Sequence, residues 1–388
     1  MGYQAAIERA LANAPALKAK ALGVDATRAA TRAADALPDP KLAMGLDNFP
    51  VSGPPAGSFT RDEMTMARIG VMQEVPSASK RRARLSRAQA DIVAAEASAR
   101  VTARDVRVGA ALAWIDLAFA TKRLTAIEGL LDRLRRLVGA SSAGVASGAA
   151  RPAEVLERQQ ALAMLEDRRS EIAAAGGRAR AELVRWTGDP AAEAVGDLPT
   201  IMLDPAALRA GLDRHPTVRA LAAAAGQSDA DLALARAEKR PDWSWDVAYQ
   251  RRAERYGDMV SAGVTVNLPL FAGRRQDPMI AARVAEAGKA RAEQEAARRE
   301  LVARLDAALA DHVMHHEQWV RARDRLLPLA EQQLDLENAS YAAGRAGLLD
   351  VVKAHIAAAE MRLTVLDREA VVSRDAALLT LTYGSNEQ

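Results

Sequence analysis

The stretch WSWDVAYQR, residues 243–251, alternates without a break. Trp243, Trp245, Val247 and Tyr249 fall on one side, and Ser244, Asp246, Ala248 and Gln250 on the other. A period of two with unlike faces is the pattern of a β-strand, and the length suits a strand crossing a bilayer at a tilt. After a polar turn around residues 254–258, MVSAGVTVNL continues the alternation, so strands are expected at about 242–251 and 258–269. An earlier pair is expected at about 40–48 and 63–75. In its first strand, KLAMGLD sets Leu42, Met44 and Leu46 against Lys41, Ala43, Gly45 and Asp47; TMARIGVMQEV follows a Gly- and Pro-rich loop. Four of the ten Trp and Tyr residues, Trp243, Trp245, Tyr249 and Tyr256, cluster around the third strand. They are candidates for the aromatic girdle of a membrane interface. An ordinary β-hairpin packed on helices satisfies the same patterning.

Most of the remaining chain reads as helix. Of 388 residues, 49% are nominally hydrophobic, but much of that is alanine and only 4% are aromatic, a composition suited to close helix packing along extended surfaces. From Leu85 to Val138 apolar or small residues recur at steps of three and four, with one extra step of four at Val106–Ala110, a heptad seam with a single stutter. Leu301, Leu305, Ala308, His312, Trp319, Leu326, Ala330, Leu334 and Tyr341 form a second seam, in which Pro328 demands a kink or a helix discontinuity. A helix over 79–147 is ~100 Å long at 1.5 Å per residue, and one over 152–186 is ~50 Å. A shorter helix is expected at 15–36.

The chain is a tandem repeat of this plan, with repeats expected at 1–200 and 201–388. ANAPALKAK (12–20) matches DRHPTVRAL (213–221), ALPDPKLAMGLD (36–47) matches KRPDWSWDVAYQ (239–250), and GVMQEVP (70–76) matches GVTVNLP (263–269). RWTG (185–188) matches LTYG (381–384). Several landmarks in one order are the signature of duplication. Glycine breaks, GVASGAARPAEVL (144–156) and YAAGRAGLLDVV (341–352), turn each long helix back on itself. Gly148 and Gly344 are expected to take positive φ there. Glu154 and Asp350 open the returning helices, where a carboxylate suits the helix dipole.

Composition excludes several functions. With 53 basic and 50 acidic residues interspersed, the net charge is +3, and no nucleic-acid partner is expected. There is no cysteine, hence no disulfide and no thiolate metal site. No apolar run reaches the ~20 residues of a membrane helix. The start, MGYQAAIERA, has neither basic nor apolar leader character, which reads as a cytosolic protein or a removed signal peptide. No phosphate loop, nucleophile elbow or paired-carboxylate signature is present, so neither enzyme activity nor a cofactor is expected.

Closure decides between the open alternatives. Four strands do not close a transmembrane barrel, and an open edge in lipid leaves N–H and C=O groups unpartnered. A membrane reading therefore requires two, three or four copies. The alternatives are a soluble coiled-coil scaffold or a periplasmic metal-binding protein.

Over its whole length the sequence resembles the outer-membrane efflux protein family, the TolC-like ducts of Gram-negative bacteria. The duplicated plan and YAAGRAGLLDVVKA carry the resemblance. PDPKLAMGLDNFPV, MQEVPSASKRRAR and VTVNLPLFAGRR resemble the heavy-metal-exporting, CzcC/CusC-like branch, although Ser77, Ala78 and Ser79 stand where that branch usually carries Phe-Pro-Gly. The resemblance implies a mainly helical fold with long hairpins forming an α-barrel in the periplasm. Four strands per chain would contribute to a twelve-stranded barrel of a homotrimer in outer-membrane lipid. It also implies a periplasmic adaptor and an inner-membrane, proton-driven RND pump as partners, with the chain as the passive exit duct.

On that resemblance Asp350 falls where an acidic ring lines the pore entrance, with Lys353 and Glu154 beside it. Lys353 stands where some members have a second acid, and Asp350–Lys353 pairing at i,i+3 is expected to offset the charge. Gly148, Ala149, Ala150, Arg151, Gly344, Arg345, Ala346, Gly347 and Leu348 are the expected helix tips, which contact the adaptor or serve only as turns. His312 and His316, at i,i+4, have the spacing of a metal pair but no third ligand fixed by sequence. Lys80, Arg81, Arg82, Arg84 and Arg87 follow a strand, at lipid headgroups or on a solvated first turn.

Overall fold

In the computed structural model of the chain, residues 1–140, 152–198 and 201–384 are described. The elements run α1 (Tyr3–Asn13), α2 (Pro15–Thr31), β1 (Lys41–Asp47), β2 (Met66–Val75), α3 (Ala78–Ala140), α4 (Pro152–Thr187), α5 (Pro205–Ala210), α6 (Pro216–Ala237), β3 (Asp242–Arg251), β4 (Met259–Asn267), α7 (Gln276–Arg321), α8 (Leu327–Ala342) and α9 (Leu348–Tyr383). The strands lie within three residues of expectation. The helix expected at 15–36 ends at Thr31, and short turns follow it. The long helix expected over 79–147 is described as far as Ala140; the rest lies outside the described residues.

Contacts divide the chain into two compact units, each drawing on both repeats. One comprises Lys20–Ser98 and Arg219–Ala296; the other comprises Met1–Ala19, Ala99–Val218 and Ala297–Gln388.

The first unit holds the sheet. Its strands are antiparallel in the order β1-β2-β3-β4, so the two hairpins expected from the repeats are joined through β2 and β3. The register aligns Leu42, Val71, Val247 and Ala262 across the sheet, and likewise Met44, Ile69, Tyr249 and Val260. Small residues set the spacing of the other face. A Cβ on Gly70 would come within 2.8 Å of the Ala248 Cβ, and one on Gly263 within 2.7 Å of the Asp246 carboxylate. Below the sheet, Lys80 at the start of α3 is 6% exposed and binds Asp242 Oδ2 at 2.6 Å and Glu238 Oε2 at 3.1 Å. Burial disfavours its charge, but the hydrogen bonds to Asp242 and Glu238 outweigh it and raise the Lys80 pKa. The stabilisation is thus full below the ordinary lysine pKa of 10.5 and is lost as pH rises through the higher folded value. Sequence reading set Lys80 at lipid headgroups or on a solvated first turn; the structure instead buries it in an ion pair with Asp242 and Glu238.

The second unit is helical. Trp114, Ile115 and Phe119 of α3, each 0% exposed, pack with Leu183 of α4 and Ala377 of α9, and the Trp114 indole N–H donates to the Met1 carbonyl at 2.9 Å. Ile127, Leu130, Leu131 and Leu134 form a second cluster with Leu165, Ile172, Val352 and Leu363. The ion pairs Arg135–Glu166 and Glu128–Arg169 show α3 and α4 running antiparallel, since one number rises as the other falls. Glu331–Arg362 and the Gln318 carbonyl to Arg368 do the same for α9 against the α7–α8 strand of the hairpin. The seam residues of α3 from Val106 to Leu134 are buried, apart from Leu124, which is half-buried. Pro328 follows a π-helical turn over Ala322–Leu326, the expected discontinuity. The wider turn accommodates a ring that would otherwise clash with the preceding carbonyls.

One group in this unit sets a pH response. His215, 3% exposed, precedes α6; its Nδ1 accepts from the Thr217 N–H at 3.2 Å, and its Nε2 lies 3.3 Å from Arg104 Nη1. Burial, then the Arg104 charge, lowers its pKa from 6.5 to about 4. Between those values the unfolded chain binds a proton that the native state refuses. Stability therefore falls as pH drops from 6.5 to 4, by about 3 kcal/mol in total. His215→Gln is expected to flatten that part of the stability–pH curve, measured by denaturant unfolding of the detergent-solubilised protein.

Candidate functional site

The sheet is amphipathic across all four strands. On one face stand Leu42, Met44 and Leu46; Ile69 and Val71; Trp243, Trp245, Val247 and Tyr249; and Val260, Val264 and Val266. Their exposures run from 38% at Trp245 to 73% at Met44. A continuous exposed apolar face of this size on a four-stranded sheet demands a non-aqueous neighbour. The opposite face carries Lys41, Arg68, Glu74, Asp246, Gln250 and Ser261, with ion pairs Lys41–Glu74 and Arg68–Asp246 and a Gln250–Ser261 hydrogen bond. Polar inside and apolar outside is the division a membrane β-barrel requires.

The aromatics take two levels on that sheet. Trp243 and Trp245 occupy the start of β3, against Val75 and Gln73; Tyr249 lies towards its end, hydrogen-bonded to Asp258 in the following turn. Tyr256, in the same turn, is half-buried beneath the Arg255 guanidinium at 4.7 Å. From Trp243 to Tyr249 is ~20 Å along the strand at 3.3 Å per residue, about 15 Å of height at the tilt of a membrane-barrel strand. Among the described residues, β1 and β4 are each paired on one side only, which leaves two open edges. No helix among the described residues is long and apolar enough to cross a membrane.

The second candidate site is the tip between α8 and α9. Gly344 has φ +71°, as the sequence required. The Gly344 N–H donates to the Tyr341 carbonyl at 2.9 Å, and the Arg345 N–H to the Ser340 carbonyl at 2.8 Å, the two bonds of a Schellman ending. Arg345, Ala346 and Gly347 form the turn, and Leu348 opens α9. Asp350 is exposed and its Oδ2 accepts the Gly347 N–H at 3.0 Å, so within one chain it caps the helix. Lys353 is exposed and reaches Glu157 of α4 at 3.8 Å, so the expected Asp350–Lys353 pair does not form. The cause is the parallel packing of α4 alongside α9, which sets the first turns of the two helices side by side. Asp350 is left with its charge uncompensated by Lys353. Glu154, half-buried in the first turn of α4, accepts through its carbonyl from Arg158 Nε at 3.1 Å. Gly148, Ala149, Ala150 and Arg151 lie outside the described residues. Gly344→Val is expected to cost about 1–2 kcal/mol through the left-handed backbone alone, read as a lower unfolding midpoint.

The histidines are divided between different partners. His312 and His316 rings lie 6.3 Å apart, but His316 packs edge-on against Trp319, and it is His315 that bonds Asp375, at 2.7 Å. His312 Nδ1 is 4.0 Å from the same carboxylate oxygen, and burial lowers its pKa. Among the described residues no three His, Asp or Glu side chains are placed to hold a metal. Sequence reasoning missed the Lys80–Asp242–Glu238 cluster, which no local motif announces because Lys80 stands on α3 and its two partners, at the turn from α6 into β3, lie far along the chain, Asp242 162 residues on.

Comparisons with known proteins agree with this geometry. The model of the outer membrane efflux protein family matches residues 6–189 and 207–385. No match is found among curated protein sequences. The structure of CusC, described for its folding and transmembrane channel formation, superposes with a TM-score of 0.83 at 15% identity, covering 98% of this chain and 92% of that one. The outer membrane protein VceC of Vibrio cholerae gives 0.80 at 19%, covering 98% and 96%. The open-state outer membrane channel MtrE of Neisseria gonorrhoeae gives 0.81 at 15%, covering 98% and 88%.

Proposed function

Because the chain belongs to the outer membrane efflux protein family, we propose that three copies assemble as the passive exit duct of a tripartite efflux system. The one observation that carries this is the four-stranded open sheet with an apolar face and two unpaired edges. Three such sheets, edge to edge, make a twelve-stranded cylinder with every backbone group paired. In lipid that removes the several kcal/mol that each orphaned group would cost. The helical hairpins would then extend into the periplasm.

The energy for export has to come from a partner, since no nucleotide-binding motif is present. The inner-membrane pump of the RND class supplies it in this reading, and a periplasmic adaptor meets the helix tips at Gly344–Leu348 and at Gly148–Arg151. Asp350, three copies around an axis, would present a cation-attracting ring at the entrance. The Lys353–Glu157 pair supports this, because Lys353 is engaged away from Asp350. We read the cargo as heavy-metal cations, on the resemblance of the strand and junction motifs. Division of the chain into repeats 1–200 and 201–388 is supported by the interruption between the two segments that the family model matches.

Membrane fractionation tests the assignment. The chain is expected in the outer-membrane fraction, soluble only in detergent, with the mass of three chains. Recovery in buffer as a monomer contradicts it. Loss of metal tolerance on deleting the pump partner then tests the cargo, and unchanged tolerance would remove it.

A further inference from the structure

An arginine pair recurs at the foot of the sheet in both repeats. Pro76 follows β2 and Pro269 follows β4; five and six residues beyond each stand Arg81–Arg82 and Arg274–Arg275. Of the other basic groups nearby, Lys80 is matched by Asp242 and Glu238, Arg87 by Asp91 and Asp231, and Lys239 by Asp277, whereas Arg84 and Arg240, like the two arginine pairs, make no ion pair among the described residues. Among the described residues the four arginines make no ion pair. Arg82 Nε reaches only the Ala78 carbonyl of its own helix, at 3.3 Å, and Arg81 Nε is buried without a hydrogen-bond partner. Arg81 and Arg82 also lie within the first five residues of α3, whose first turn contains no acid. The helix dipole disfavours cations at that end, so helix stability gives no reason for them.

The apolar face of the sheet reaches its foot at Val75, Trp243 and Val266. Beyond β4 it continues in Leu268, Leu270 and Phe271, which are 62%, 76% and 72% exposed. An exposed apolar belt therefore ends beside two uncompensated arginine pairs. That is the arrangement of a bilayer edge, with acyl chains on the belt and phosphates at its rim. We propose that Arg81–Arg82 and Arg274–Arg275 bind the phosphates of anionic phospholipid headgroups in the leaflet at the foot of the sheet. A free phosphate would leave Leu268, Leu270 and Phe271 uncovered, so the lipid is the occupant that uses both features. The inference rests on the membrane reading given above.

The test uses the full chain in neutral detergent, with added phosphatidylglycerol, phosphatidylcholine or inorganic phosphate, read by thermal unfolding and by lipid retained in native mass spectra. Phosphatidylglycerol is expected to raise the unfolding temperature and to be retained; the other two additions are not. R81Q/R82Q and R274Q/R275Q are each expected to weaken phosphatidylglycerol binding roughly 30-fold, with oligomer mass and helix content unchanged. The quadruple variant is expected to lose the effect entirely, and each pair alone serves where it does not fold. Undiminished lipid retention by both pair variants overturns the proposal, as does equal stabilisation by inorganic phosphate. Failure of the membrane reading is distinguishable, because the unmodified chain would then remain in solution without detergent.

Discussion

Arginine in place of Val247 is expected to abolish accumulation of the assembled protein in the outer membrane, whereas lysine in place of Gln250 is expected to be tolerated. The two positions are three residues apart on β3 and face opposite ways. Val247 is 44% exposed at mid-strand, in a row with Leu42, Val71 and Ala262. Arginine at the bilayer midplane costs about 2–4 kcal/mol, and three copies roughly three times that. Gln250 lies on the face that carries Arg68 and Ser261, where a cation replaces an already hydrated amide. Quantifying the detergent-extracted oligomer in each variant checks this, and equal behaviour of the two variants would contradict the assignment of faces.

The second large effect is at the foot of the sheet. Asp242→Ala removes the 2.6 Å partner of a lysine that is 6% exposed, and also the acceptor of the Ser77 N–H at 2.9 Å. Glu238 alone then faces the ammonium. Stranding one charge of a buried pair costs about 3–5 kcal/mol, whereas replacing both partners by neutral groups of similar shape costs little. Asp242→Ala is therefore expected to lower the denaturant midpoint sharply, and Lys80→Met with Asp242→Asn to restore most of it. If the double variant is as unstable as the single one, the stranded charge is not the cause.

The sequence made the strands legible because one face of each had to be apolar and the other polar, and a period of two is hard to imitate over ten residues. Tyr249, Val247 and Trp245 show this directly. The Schellman turn was legible because Gly344 tolerates the positive φ that the two capping bonds require. Pro328 was legible in kind, since a discontinuity was required, but the π-turn that absorbs it was not. What escaped were contacts set by tertiary packing. Lys353 turned from Asp350 to Glu157 because α4 runs parallel beside α9, which sets the starts of the two helices side by side. The His312–His316 spacing was correct for a metal pair, yet Trp319 and Asp375 divide the three histidines between different partners. Helix α1, which brings Met1 to the Trp114 indole, gave too short a pattern to be singled out.

The central claim is that β1 of one copy meets β4 of the next. The chain contains no cysteine, so pairs placed on these two edges report without background. Met44→Cys on β1 would be combined in turn with Val260→Cys, Ala262→Cys and Val264→Cys on β4, and the protein oxidised in the membrane before denaturing electrophoresis. A ladder ending at covalently linked trimers, for the pair in register, is the result this account predicts. Monomers alone from every pair would contradict it.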